Sequence, residues 1–154
     1  PTSIEREPLG PMRGAIAAIE EVVAEKPIDL RRITLTGLSM GGFGSWDLAA
    51  RKPGWFAAVA PICGGGDTRV VERYTGLPFW VWHDEGDPVV PVALSQRMVE
   101  AAEAAGVDVR YSEVSGHGHL SWVPAYEADN LPAWLLAQRR GEPSEELEAL
   151  RAQE

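Results

Sequence analysis

The chain has 154 residues, about one domain's worth, of which 45% are hydrophobic and 24% charged. That is the usage of an ordinary globular protein and too apolar for a disordered one. Fourteen basic against 23 acidic residues give a formal charge of −9 with no basic stripe, which speaks against nucleic acid as a partner. The lone Cys63 excludes an intrachain disulfide and a multi-thiolate zinc site, and no apolar run approaches the roughly 18 residues of a membrane span.

Residues 1–10 are polar and broken by Pro1, Pro8 and Gly10, which reads as a flexible lead-in. From Pro11 to Pro27, Ile16, Ile19, Val22 and Val23 recur at helical spacing beside Glu20, Glu21 and Glu25 and predict an amphipathic helix. Ile33 to Thr36 are β-prone and end at Gly37, so a short strand is expected, followed by a helix over about 42–52 that Pro53-Gly54 ends. Ala57 to Cys63 is continuously apolar, as suits a parallel strand covered on both faces, and stops at Gly64-Gly65-Gly66.

A weak helical segment, Thr68 to Tyr74, leads to a third buried strand, Phe79-Trp80-Val81-Trp82-His83. Pro91 fits the first turn of a helix carrying Leu94, Met98, Ala102 and Ala105 on one side, with Gly106 as its stop. Val107 to Val114 is the fourth strand, and a last helix from about Pro132 to Arg140 buries Leu131, Trp134 and Leu135. Strand alternating with helix argues for an α/β domain over 11–140 with about four parallel strands. From Gly141 onward five acids and one arginine predict a solvated helical tail, with Leu147 and Leu150 offering a small apolar face for docking.

Gly37-Leu38-Ser39-Met40-Gly41 is a GxSxG pentapeptide between a predicted strand and a predicted helix. So sharp a turn is expected to need both glycines, because a side chain at either would collide with backbone. It lifts the Ser39 hydroxyl above the sheet and aims the N–H of Met40 where an oxyanion would form. A serine hydroxyl is a poor nucleophile at neutral pH, so it needs a base, and the base needs a carboxylate to fix its tautomer.

Asp87, in Gly86-Asp87-Pro88-Val89-Val90-Pro91, follows the third strand, where the loops of an open α/β sheet gather ligands. His119, in Gly116-His117-Gly118-His119, follows the fourth. Asp67, Asp84 and Glu85 compete with Asp87 for the acid, and His117 competes with His119 for the base. Strand end, spacing and the order Ser, Asp, His favour Asp87. His83 ends an apolar strand and reads as a hydrogen-bonded core histidine.

A metal reading would draw on His117, His119, His83 and the acids 84, 85 and 87, but no HExxH or comparable spacing exists, and it leaves the Ser39 turn unexplained. Cys63, ending a buried strand, reads as inert packing, and Gly64 to Gly66 lack the Lys-Ser/Thr ending of a phosphate-binding loop. Among six tryptophans, Trp46, Trp55 and Trp134 fall at core positions. Trp82 and Trp122 are placed to wall an acyl or alcohol pocket, with Phe43 and Met40 flanking the elbow.

The stretches RRITLTGLSMGGFGSWDLAARKPGWFAAVAPICGGGD, WHDEGDPVVPV, GHGHLSWVPAY and PAWLLAQRR, spread over about residues 12–140, resemble a bacterial branch of the α/β-hydrolase superfamily. That branch holds phospholipase/carboxylesterase-like and dienelactone-hydrolase-like esterases related to prolyl oligopeptidase catalytic domains. The resemblance implies Ser39 as nucleophile, Asp87 as acid and His119 as base, no cofactor, and cleavage of small carboxylic esters through an acyl-enzyme. It begins at the helix before the nucleophile strand, so the first four strands of the usual eight-stranded sheet have no counterpart, nor does the loop that normally gives a second oxyanion donor. The fold implied is a truncated α/β-hydrolase. The strand at 33–36 then becomes an open edge, which predicts a homodimer or higher oligomer covering it. Competing expectations are half of a split hydrolase, a catalytically weak binding or assembly module, and a serine peptidase.

Overall fold

Four parallel strands lie side by side in the order of the chain: β1 (Thr34–Leu38), β2 (Ala58–Ile62), β3 (Phe79–Asp84) and β4 (Val109–Val114). The structure, a computed structural model, describes residues 1–127 and 130–153. Sequential parallel strands need crossovers of one hand, which gathers the connecting helices on one face. Those are α2 (Met40–Arg51), a 3-10 segment (Thr68–Tyr74) and α3 (Ala93–Ala104). They are joined there by α1 (Gly10–Glu25) and α6 (Glu145–Arg151). The opposite face is covered by α4 (Trp122–Glu127) and α5 (Asn130–Ala137).

Alternation along each strand deals its side chains to the two faces. Val59, Phe79 and Val81 meet Trp46, Met98 and Ala102 on the first, where Trp46 and Phe79 stack at 4.8 Å. Ala58, Ala60, Ile62, Trp80 and Trp82 meet Ala125, Leu131 and Leu135 on the second. The central strands β2 and β3 are buried throughout, whereas β1 pairs only with β2 among the described residues and leaves Thr36 and Leu38 exposed.

Several expectations shift. The strand expected at 33–36 runs on through Gly37 to Leu38, and the next helix starts at Met40 rather than Gly42. Val23 of α1 is fully buried, whereas Val22 is half exposed. A helix at 122–127, containing Pro124, was not expected. The lead-in is tied down: Ser3 N donates to Asp67 Oδ2 (2.8 Å), and the Arg51 guanidinium donates to the carbonyls of Ser3 (2.7 Å) and Arg6 (3.0 Å).

The acidic stretch after Gly141 is also docked rather than solvated. Ser144 caps α6, Leu147 is fully buried, and Glu146 accepts from Trp55 Nε1 (2.8 Å) and pairs with Lys52. Arg151 donates to the carbonyls of Val23 and Lys26 at the end of α1. One buried leucine, contributing about 1.5–3 kcal/mol, together with this clamp outweighs the weak apolar pattern that suggested a free tail.

Candidate active site

The backbone geometry of the Ser39 turn is set by excluded volume. Ser39 adopts φ 53° and ψ −116°, a conformation that L-residues hold only when their surroundings enforce it. Its N–H is shared between Ile62 O (2.9 Å) and Cys63 Sγ (3.3 Å), and its carbonyl accepts from Gly42 N (2.8 Å) and Phe43 N (3.1 Å). A Cβ on Gly37 would lie 2.3 Å from Gly41 O, so the first glycine of the pentapeptide is needed. The second is not: a Cβ on Gly41 meets nothing within 4 Å. The crowded position is Gly42, where a Cβ would come within 2.3 Å of Ile62 O, because the first turn of α2 lies against the end of β2.

Loops at the carboxyl ends of β1, β3 and β4 bring Ser39, Asp87 and His119 together. His119 Nε2 lies 2.9 Å from Ser39 Oγ, and Nδ1 lies 2.8 Å from Asp87 Oδ2. A carboxylate only accepts, so Nδ1 carries the proton and Nε2 is left to accept from the Ser39 hydroxyl. The Asp87 side chain is fully shielded, and its Oδ1 accepts from the N–H groups of Val89 and Val90, both at 2.9 Å. Burial pushes its carboxyl up, but the hydrogen bonds from His119, Val90 and Val89 outweigh that and hold it below the usual carboxylate range.

Trp122 meets the His119 ring edge to face at 5.4 Å, fixing the imidazole from outside the line. Met40 is the first residue of α2, so its N–H has no intrahelical acceptor. Met40 and Phe43 are exposed beside Ser39. A cavity of about 510 Å3 borders Phe43, Gly65 and Trp46, and none of Ser39, Asp87 and His119 lines it. Trp82 does not join the site surface. It is 7% exposed and packs against Trp80 at 5.3 Å in the second core cluster, because it points to the sheet face opposite His83.

The competing acids are occupied elsewhere. Asp67 is held by Arg69, whose guanidinium, with the N–H groups of Arg69 and Ser3, keeps its carboxyl far below the usual range. Glu85 is exposed. Asp84 is buried and bonded to two backbone N–H groups, one of them that of His117, whose own residue is exposed. His83 is fully buried, with Nε2 donating to Val90 O (2.8 Å) and Nδ1 bonded to Ser95 Oγ (2.6 Å).

Cys63 is closer to Ser39, Asp87 and His119 than its sequence position suggests. Burial raises its thiol pKa, and its Sγ lies within 4.8 Å of ligating atoms of both Asp87 and His119. Those two are already bonded to each other, and Sγ carries the Ser39 N–H, so the trio is accounted for without an ion. The signal that could have found Cys63 is strand register: Leu38 faces Ile62, so the residues that follow each of them, Ser39 and Cys63, are neighbours.

No family model matches the chain. A solved structure described as a thermostable esterase superposes with a TM-score of 0.83 at 42% identity, covering 87% of this chain and 38% of that one. A curated protein bearing an esterase name, NocK from Nocardia uniformis subsp. tsuyamanensis, is 31% identical over 93 residues, 59% of this chain and 27% of that protein. The acylaminoacyl peptidase of Pyrococcus horikoshii superposes with a TM-score of 0.73 at 14% identity, over 90% of this chain and 29% of that one. The chain thus spans well under half the length of each of these three.

Proposed function

Starting from the α/β-hydrolase fold that this chain has, with esterases among its relatives, we propose that it is a serine hydrolase of small carboxylic esters. The observation that carries this reading is the unbroken line from Asp87 through His119 to Ser39, at 2.8 and 2.9 Å. His119 takes the Ser39 proton as Oγ attacks the ester carbonyl, and Asp87 stabilises the imidazolium that forms. The tetrahedral oxyanion accepts from Met40 N–H. His119 then gives its proton to the leaving alcohol and activates water to free the acyl-enzyme. Phe43 and Trp122 flank the line and serve the acyl and alcohol groups, and since the cavity of about 510 Å3 is lined by none of Ser39, Asp87 and His119, a short acyl group is the one we assign.

One oxyanion donor is fewer than such chemistry ordinarily uses, and the loss of one costs about 10²- to 10³-fold in rate. Among the described residues β1 pairs only with β2, and that open edge offers a place from which a second donor could enter, since an unpaired strand edge invites another strand. We assign that cover to a second copy of this chain. Light scattering at micromolar concentration should then show a dimer, and a monomer would assign the edge to another polypeptide segment.

Two measurements test the activity. A series of p-nitrophenyl esters should be turned over fastest at short acyl length, and an organophosphonate should label Ser39. Ser39→Ala should lose both turnover and labelling while keeping its far-UV circular dichroism. Ester hydrolysis that persists in this variant would overturn the reading, and so would a folded dimer that is neither labelled nor active.

A further inference from the structure

We propose that Asp84 is a positioning residue for the acid and the base, tying the loop of Asp87 to the loop of His119; the inference rests on the hydrolase reading above. Asp84 is the last residue of β3, 1% exposed, and pairs across the sheet with Val114, the last residue of β4. Both loops leave the sheet from this point. Its two oxygens divide between them: Oδ1 accepts from Gly86 N (2.8 Å), one residue before Asp87, and Oδ2 accepts from His117 N (2.8 Å), two residues before His119.

A buried carboxylate is costly unless donors hold it, and charge-assisted bonds to backbone N–H groups are about twice as strong as neutral ones. Here both donors belong to the loops that carry the chemistry. The base loop needs such a fastening, because Gly116 (φ 80°) and Gly118 (φ 57°) on either side of His117 have positive φ and lose much conformational freedom on folding. Between β4 and α4 the backbone bonds of this loop are short-range, such as Leu120 N to His117 O (3.0 Å). The Asp84 bond therefore fixes the loop to the sheet, so that one buried carboxylate braces both loops behind the 2.8 Å contact of Asp87 and His119.

The test uses Asp84→Ala and Asp84→Asn in the full chain. A misplacement of the base near 1 Å costs about 10²-fold, so Asp84→Ala should lower kcat for a p-nitrophenyl ester by roughly 10- to 100-fold with KM nearly unchanged. The rate of phosphonate labelling should fall by the same factor. Asp84→Asn, which keeps an oxygen for one loop only, should lie between the two. Hydrogen exchange should speed up at both the His117 and Gly86 amides in Asp84→Ala, and at one of the two in Asp84→Asn.

Wild-type kcat per folded molecule in either variant, even with a lowered Tm, would overturn the proposal, as would unchanged exchange at both the His117 and Gly86 amides. If Asp84→Ala does not fold, Asp84→Asn decides alone by the same two readouts. Should the unaltered chain show neither turnover nor labelling, the hydrolase reading fails, while faster exchange at His117 would still establish the Asp84 anchor.

Discussion

The turn at Ser39 and the two loops that face it are held in place by different physics. At the turn, backbone packs against backbone: Gly37, Gly42 and Gly64 each leave no room for a Cβ, and the strained Ser39 has both its N–H and its carbonyl bonded. In the loops after β3 and β4 nothing comparable is crowded, and the placement rests on side-chain carboxylates, Asp87 on His119 and Asp84 on His117. Steric placement fails by distorting the fold, whereas polar placement fails by leaving the fold standing with its chemistry misaligned. The two halves of the site should therefore respond to substitution in different observables.

The largest expected effect is on the polar side. On the hydrolase reading proposed above, Asp87→Asn keeps the shape but removes the acceptor that sets the His119 tautomer, a change expected to cost about 10⁴-fold in kcat. Far-UV circular dichroism should change little, and Tm should fall only by what the charged carboxylate contributes. A loss of less than tenfold, on the order of 1 kcal/mol or so of barrier, would move the acid's role to another carboxylate and remove the contrast between the two halves.

On the steric side, Gly42→Ala places a Cβ 2.3 Å from Ile62 O, and either β2 or α2 must move. Overpacking of this kind costs about 1–3 kcal/mol, roughly 2–12 °C in Tm for a chain of this size. Gly41→Ala is the control, because its Cβ meets open space inside a helix where alanine is favoured by up to about 1 kcal/mol over glycine. Its Tm should stay level or rise. Thermal melts of the two variants decide the matter, and equal Tm values would show that the turn tolerates the crowding.

Neighbouring glycines that look alike in sequence thus differ by which one faces β2, and that difference marks how far the residues alone could be read. Strand and helix alternation, the turn at Ser39 and the loops after β3 and β4 that carry Asp87 and His119 were all legible, because periodicity and strand ends are local properties. The 3-10 segment at Thr68–Tyr74 was legible for the same reason. What was not legible depends on register and packing across the chain. Cys63 meets Ser39, and Asp84 meets His117, only once β1, β2, β3 and β4 are aligned. Trp82 was expected at the site surface and lies in the core, since alternation along β3 sends it to the face opposite His83. Two leucines suggested little docking for α6, where Leu147 and Arg151 lock it to the rest of the domain. The helix α4 was hidden by Pro124, and Ala125, fully buried on the second face, anchors it.

Acid gives the smallest and most graded way to separate the two halves. The Asp87 carboxyl is held below its ordinary value by His119 and the amides of Val90 and Val89, so it titrates lower in the folded chain than in the unfolded one. Its contribution to stability is then present above the ordinary aspartate value, about 4, and is lost as pH falls through the lowered folded value. Asp67 and Glu146 are shifted the same way and add to the loss, but the packed turn at Ser39 contains no carboxylate and should not respond. The Tm of the unaltered chain should stay nearly level above about pH 5 and fall below about pH 4. Asp87→Asn should fall less steeply, so that any gap in Tm between the two narrows as pH drops. Parallel curves would mean that the Asp87 bonds contribute no pH-dependent stability, and the loop would then be held by packing after all.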